Sequence, residues 1–294
     1  MILALFGPTA SGKTTLAAAL LERLDAEVVS ADSAALYADL PVITAAPDYP
    51  ARLVGVFPLE HEVSVGEYQH LAHDAIDEVL GAARIPILVG GTGLYFRAAL
   101  GSLEIPPPPA PGVRERWSQA YDELGPEAAH ELLARNDPDA AARVHPNDRR
   151  RVVRALELAE AGASLAGDEL WAGELRRPGI VFSLTVDPAR LENRIRARAK
   201  RMLAEGAAEE AARAWSRPLS PTARKVLGLE EFATLPADEA VEAVVSATRR
   251  LARYQRKWIR RFPGVVTLDG DRSPEDIADE IVALAGARER LPRR

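Results

Sequence analysis

The chain has 294 residues, enough for one large domain with an insertion or for two modest ones. Its 47% hydrophobic and 27% charged residues are an ordinary globular balance, and no apolar stretch approaches the length of a bilayer-spanning helix, so a soluble, cytoplasmic protein is expected; it is read as a monomer without a membrane partner. The absence of cysteine removes disulfides, thiolate metal sites and cysteine nucleophiles, while a net charge of -6 argues against a nucleic-acid partner only if that charge is evenly spread.

The first predicted element is a strand, Ile2 to Phe6, apolar throughout and therefore buried on both faces. It runs into Gly7-Pro8-Thr9-Ala10-Ser11-Gly12-Lys13-Thr14, the Gly-x-x-x-x-Gly-Lys-Thr pattern of a phosphate-cradling loop in its required place between a strand and a helix. Glycines allow the backbone to wrap an anion, the helix start adds its positive dipole end, and Lys13 adds a point charge. The candidate diphosphate-binding residues are Gly7, Thr9, Ala10, Ser11, Gly12, Lys13, Thr14 and Thr15, and the Thr14 hydroxyl is the candidate ligand for Mg²⁺ bridging two phosphates. An incidental glycine-rich turn is disfavoured because strand, spacing and Gly-Lys-Thr coincide. The loop does not decide between a nucleoside triphosphate and another diphosphate.

A second strand, Glu27 to Ser30, ends just before Asp32, at the sheet edge where open α/β sheets bind ligands. Position alone leaves Asp32 evenly balanced between a functional carboxylate and a turn or helix cap. A third strand, Ile85 to Val89, leads into Gly90-Gly91-Thr92-Gly93-Leu94-Tyr95-Phe96. Between these strands lie helical patterns, in one of which His70 and His73 stand three apart; with no third ligand nearby they read as surface residues rather than a metal site.

Prolines at 106 to 109 and 111 then make a stiff connector, followed by helical patterns over Val113 to Leu124, Pro126 to Arg135, Pro138 to Val144 and Asp148 to Ala161. Ile180 to Thr185 returns as a strand, an arginine-rich helix follows from Pro188 to about Glu205, and a strand at Val265 to Leu268 precedes a closing helix from about Pro274. The fold class expected is therefore α/β, a P-loop NTPase-like parallel sheet core of residues 1–108 and 179–294 with an all-helical insertion domain over 109–178.

Basic residues are not evenly spread. Arg149, Arg150, Arg151 and Arg154 form one group, Arg190 to Arg201 holds six basic residues against one acidic, and Arg249 to Arg261 holds seven with none. In the last, Arg249, Arg253, Arg256 and Arg260 share one helical face, and Leu251, Tyr254, Trp258 and Phe262 form another that would pack on the core. One such face is usually only solvated; three clusters in an acidic chain favour a groove for a nucleic-acid backbone. Trp117, Trp171, Trp215 and Trp258 are scattered and read as packing residues.

The loop Gly7 to Thr14, the pair Asp32-Ser33, the run Gly90 to Phe96, and His145-Pro146-Asn147-Asp148 followed by Arg151-x-x-Arg154-Ala155-Leu156-Glu157 together resemble the tRNA dimethylallyltransferases, in order and spacing from Leu3 to about Trp258. The resemblance implies transfer of a dimethylallyl group from dimethylallyl diphosphate to N6 of the adenosine next to the anticodon, with the P-loop holding the donor's diphosphate rather than ATP. It implies that Asp32 accepts the N6 proton, that Thr92 contacts the departing diphosphate and that Arg198 binds it. It places contacts to the tRNA anticodon arm at Asp32, Ser33, Ala34, Ala35, Arg150, Arg151, Arg154, Lys225 and Gly228. The chemistry suits these residue types: cations and backbone donors stabilise charge developing on a leaving diphosphate, and a carboxylate activates a weakly nucleophilic amine.

The chain departs from the family pattern in three places. Ala38 to Pro47 lacks two lysines and two glycines that many members carry, Leu227-Gly228-Leu229-Glu230-Glu231 stands where Ile-Gly-Tyr-Lys-Glu is usual, and Arg253-Tyr254-Gln255 replaces Lys-Arg-Gln. A P-loop small-molecule kinase and a prenyltransferase acting on free adenine nucleotide are the rival readings. The Gly90-Gly91-Thr92 run and the arginine clusters disfavour the first, and the long helical insertion disfavours the second. A non-catalytic nucleotide-sensing module is a third, disfavoured by Asp32, Thr92 and Arg198 occurring together.

Overall fold

A computed structural model describes residues 1–106, 108–165, 174–262 and 264–288. Pro107 of the proline run and Trp171 lie outside them. The chain divides into two compact units, one of residues 1–101 with 175–294 and one of residues 102–174, the second including the proline run.

The first unit is built on a six-stranded, wholly parallel sheet. Its strands are β1 (Ile2–Phe6), β2 (Ala26–Ala31), β3 (Ala51–Arg52), β4 (Ile85–Gly90), β5 (Gly179–Thr185) and β6 (Val266–Asp269), in the order β3-β2-β4-β1-β5-β6. Every residue of β1 is buried because the strand lies between β4 and β5 and is covered on both faces, which is why its sequence is a continuous apolar run rather than an alternation. On one face Leu3, Leu5, Phe182 and Leu184 pack with Leu16 and Leu20 of α1 (Lys13–Leu21) and Ile277 and Ile281 of the closing helix. On the other, Phe6, Phe96 and Phe262 form an aromatic cluster with centroids 5.0 to 6.0 Å apart. Each such side chain stabilises the fold by about 1.5–3 kcal/mol on burial.

Five strands fall within a residue or two of the apolar runs that predict them. The edge strand β3 and the four-residue α2 (Pro41–Thr44) have no sequence signal, being too short to show a period. Helix α3 (Val65–Gly81) is capped by Ser64, whose hydroxyl accepts from Glu67 N–H, and α4 (Gly93–Leu100) begins directly after Thr92. His73 is not the surface residue expected: its ring Nε2 lies 3.0 Å from the Ala98 carbonyl and 2.9 Å from that of Gly101, tying α3 to the end of α4. Burial, then Arg176, hold its pKa below the usual histidine value.

The second unit is helical: α5 (Val113–Leu124), α6 (Pro126–Asn136), α7 (Pro138–Arg143) and α8 (Arg149–Glu160). Its own core comprises Tyr121, Ala129, Leu133, Ala140, Val144, Val152, Val153, Ala155 and Leu156. The His145 to Asp148 motif works here as a turn and cap. Tyr121 donates to the Pro146 carbonyl at 2.7 Å, and the Asp148 carboxylate accepts from Arg151 N–H, capping α8. The Glu157 carboxylate, 1% exposed, is closed between Arg114 at 3.0 Å and Arg154 at 2.9 Å.

After β5 the first unit continues with α9 (Pro188–Ala204), α10 (Ala207–Trp215), α11 (Leu229–Thr234), the long α12 (Ala237–Ile259) and, after β6, α13 (Pro274–Arg288). No described helix is long and apolar enough to cross a membrane.

Candidate active site at the strand ends

Because β2, β4 and β1 are parallel neighbours, the segments leaving their carboxyl ends share one edge. From β1 comes the loop Gly7 to Gly12, from β2 Asp32, and from β4 Gly91 and Thr92.

Gly12, at φ 95, supplies the left-handed turn that starts α1, and Ala10 is held at φ 67, a region an L-residue enters at a cost. The first helical bond of α1 is Leu16 N–H to the Gly12 carbonyl at 3.0 Å, so the amides from Gly12 to Thr15 precede the helical ladder and are available to an anion. Ser11 is 1% exposed, and its hydroxyl has no hydrogen-bond partner among the described residues. Lys13 Nζ donates to the carbonyls of Gly7 and Pro8, both at 2.9 Å, folding back over the loop. Burial pushes the Lys13 ammonium down to about 8; Asp32 opposes this and Arg198 reinforces it. Thr14 and Thr15 are exposed, and the Thr15 hydroxyl donates to the Gly12 carbonyl at 2.8 Å.

Asp32 is half-buried. Its Oδ1 accepts from Ala34 N–H at 3.0 Å, an Asx turn that aims the carboxylate into the edge and shapes Ser33 to Ala35. Beneath it Tyr68, fully buried, donates to the Ser30 carbonyl at 2.9 Å and packs on Tyr95; burial raises the pKa of both phenols, that of Tyr95 to about 12. The Thr92 hydroxyl lies 3.5 Å from both the amide and the hydroxyl of Ser33, joining the β2 and β4 ends.

Arg198 enters from α9 and donates to the Thr44 carbonyl at 3.2 Å. Burial holds its pKa below the usual guanidinium value, and Asp32 acts electrostatically on both Arg198 and Lys13. The segment lacking the family's lysines is anchored at its centre, through α2. The buried Glu210 carboxylate accepts from the amides of Val42 and Ile43 at 3.0 and 2.8 Å, capping α2, while Arg198 takes the far end at Thr44.

One residue at this edge has no separate sequence signal. Gln255, 3% exposed on α12, accepts from Thr9 N–H at 2.8 Å across 246 positions of chain. The buried face of α12 comprises Ala240, Val241, Val244, Val245, Thr248, Ala252 and Gln255, with Leu251 and Trp258 half-buried beside it. Tyr254 is 55% exposed, so the expected aromatic inner face is corrected, although Phe262 beyond the helix is buried.

A family model described as IPP transferase matches residues 35–262. The chain belongs to this family. The tRNA dimethylallyltransferase of Salinispora tropica is 38% identical over 281 residues, covering 91% of this chain and 88% of that protein. The crystal structure of the full-length tRNA isopentenylpyrophosphate transferase from Bacillus halodurans has a TM-score of 0.71 and 29% identity, covering 98% of this chain and 96% of that one. A eukaryotic dimethylallyltransferase acting on tRNA, at 23% identity and TM-score 0.82 over 100% of this chain and 80% of its own, shares the fold.

Of the residues expected from the sequence to contact tRNA, Arg150 and Arg151 are exposed at the start of α8, whereas Arg154 turns its guanidinium to Glu157. Lys225 is exposed at the end of a short 3-10 turn, Ala223–Lys225, and Gly228 is buried at the start of α11, its N–H donating to Glu231 at 3.0 Å.

Proposed function

We propose that the protein transfers the dimethylallyl group of dimethylallyl diphosphate to N6 of adenosine 37, beside the tRNA anticodon, giving N6-(dimethylallyl)adenosine and diphosphate. The observation that carries this reading is the meeting of Lys13, Asp32 and Arg198 at one strand-end edge, in a member of the IPP transferase family.

In this reading the diphosphate occupies the loop, where the amides from Gly12 to Thr15 and the Ser11 hydroxyl meet its oxygens. Lys13 leaves the carbonyls of Gly7 and Pro8, which a dianionic ligand outbids electrostatically. Arg198 and Thr92 take the oxygens nearest the breaking C–O bond. Asp32 accepts the N6 proton as the amine lone pair forms the new C–N bond, and the C–O electron pair departs with the diphosphate. Among the described residues no three acidic or histidine side chains are grouped to hold a metal. A Mg²⁺ ion would therefore take the Thr14 hydroxyl and donor oxygens and keep several waters, as this ion tends to, neutralising charge on the leaving group.

The test is direct. Purified protein, a tRNA anticodon arm and labelled dimethylallyl diphosphate, without ATP, should give labelled RNA. A requirement for ATP hydrolysis, or labelling of AMP in preference to the RNA, would overturn the reading.

A further inference from the structure

We propose that Gln255 is a positioning residue that holds the phosphate loop in its anion-binding shape and locks it to the segment carrying Thr92. This rests on the loop being the site of the donor's diphosphate.

Three segments remote in sequence meet at its amide. Oε1 accepts the Thr9 N–H at 2.8 Å, and Gln255 is nine-tenths buried or more, so water does not replace the bond freely. On the other side the amide lies against Gly91, where a Cβ would come within 2.4 Å of Nε2 and 2.9 Å of the Gly7 carbonyl. One turn further along α12, the Trp258 ring covers Gly93 so closely that a Cβ there would come within 2.3 Å of it. Gln255 and Trp258 thus grip the Gly91 to Gly93 segment on both sides of Thr92.

The loop needs such a hold. Ala10, directly after Thr9, sits at φ 67, where an alanine relaxes to the right-handed side unless its neighbours prevent it. Fixing the Thr9 peptide outward, toward Gln255, fixes the approach to Ala10 and so the inward aim of the amides from Gly12 onward. Without Gln255 the half-buried Thr9 N–H loses the acceptor that fixes its direction, and the peptide is free to turn toward water or another carbonyl.

The experiment measures inorganic diphosphate binding by titration calorimetry, with steady-state KM values for donor and tRNA, in the full chain. Gln255→Leu should bind diphosphate about ten-fold or more weakly and raise the donor KM similarly, with the tRNA dissociation constant unchanged. Gly91→Ala, which pushes the amide off Thr9 from the other side, should give the same split, and the double variant should lose little beyond either single one. Gln255→Glu keeps the acceptor. Its affinity relative to wild type should recover toward unity as pH falls and the carboxyl becomes neutral.

A Gln255→Leu protein that unfolds at lower temperature but binds diphosphate as wild type does overturns the proposal, as do additive losses in the double variant. Should Gln255→Leu not fold, Gly91→Ala and the pH profile of Gln255→Glu decide alone. Lys13→Met separates the positioning role of Gln255 from diphosphate binding by the loop itself. If it abolishes binding while Gln255→Leu leaves it intact, only the positioning role falls. If it has no effect, the diphosphate reading falls as well.

Discussion

The helical unit and the strand-end edge use their cations in opposite ways. In residues 102–174, Arg114 and Arg154 close on Glu157, Arg116 on Glu160 and Arg149 on Asp122. At the strand-end edge, Lys13 rests on the carbonyls of Gly7 and Pro8, and Arg198 on that of Thr44. A carboxylate holds a guanidinium against an incoming anion, whereas a carbonyl, carrying only a partial charge, gives it up. Cations resting on carbonyls are thus poised for a ligand, and those in carboxylate pairs serve as scaffold. The contrast recurs along α9, where Arg194 is tied to Asp271, Arg196 to Glu242 and Arg201 to Glu205, while Arg198 makes no salt bridge among the described residues.

The largest effect that would sharpen this contrast belongs to the carboxylate at the edge. Asp32→Ala should lose transfer by about two orders of magnitude or more while retaining diphosphate and tRNA binding, measured by single-turnover labelling and equilibrium titration. Near-normal turnover would remove Asp32 as the proton acceptor. In the scaffold the same kind of change should act on stability. Glu157→Ala, which removes the buried carboxylate that Arg114 and Arg154 share, should cost about 2 kcal/mol in chemical denaturation and leave diphosphate affinity unaltered.

Smaller effects follow at the surface. Arg150→Ala and Arg151→Ala should each weaken tRNA binding modestly and lower the slope of log affinity against log salt by about one, where a purely solvated charge would leave that slope alone. The smallest is acid sensitivity at His73. Its folded pKa lies below the ordinary 6.5, so the unfolded chain takes up the proton first as pH falls through that value. Stability from this site is therefore full above about 6.5 and lost below it, and His73→Gln should narrow the difference in unfolding midpoint between pH 7.5 and 5.

Much of the fold was legible because its signals are local. Continuous apolar runs marked β1, β4 and β5, and proline or a capping residue marked the starts of α6, α7, α8 and α9. The phosphate loop was legible for the same reason, its residues being contiguous. Asp32 is half legible, its place at a strand end leaving it evenly balanced with a cap until the family resemblance decides it, and Thr92 is legible only through that resemblance, since its nearness to Ser33 depends on β2 and β4 being neighbours. Which arginine in a cluster is occupied was not legible either, because the partners are distant: Glu242 for Arg196, Glu192 for Arg249. The inner face of α12 is not legible from hydrophobicity alone, because a hydrogen bond places one of its residues. A glutamine stands inside, since a backbone N–H of the loop needs its oxygen there, and a tyrosine stands outside.

The contrast between poised and scaffold cations is tested most directly on a single helix. Inorganic diphosphate affinity should be measured for wild type, Arg198→Met and Arg196→Met, both arginines lying on α9 two residues apart. Arg198→Met should lose at least about ten-fold in affinity, and Arg196→Met should bind as wild type does. Equal affinities in the two variants would contradict the contrast.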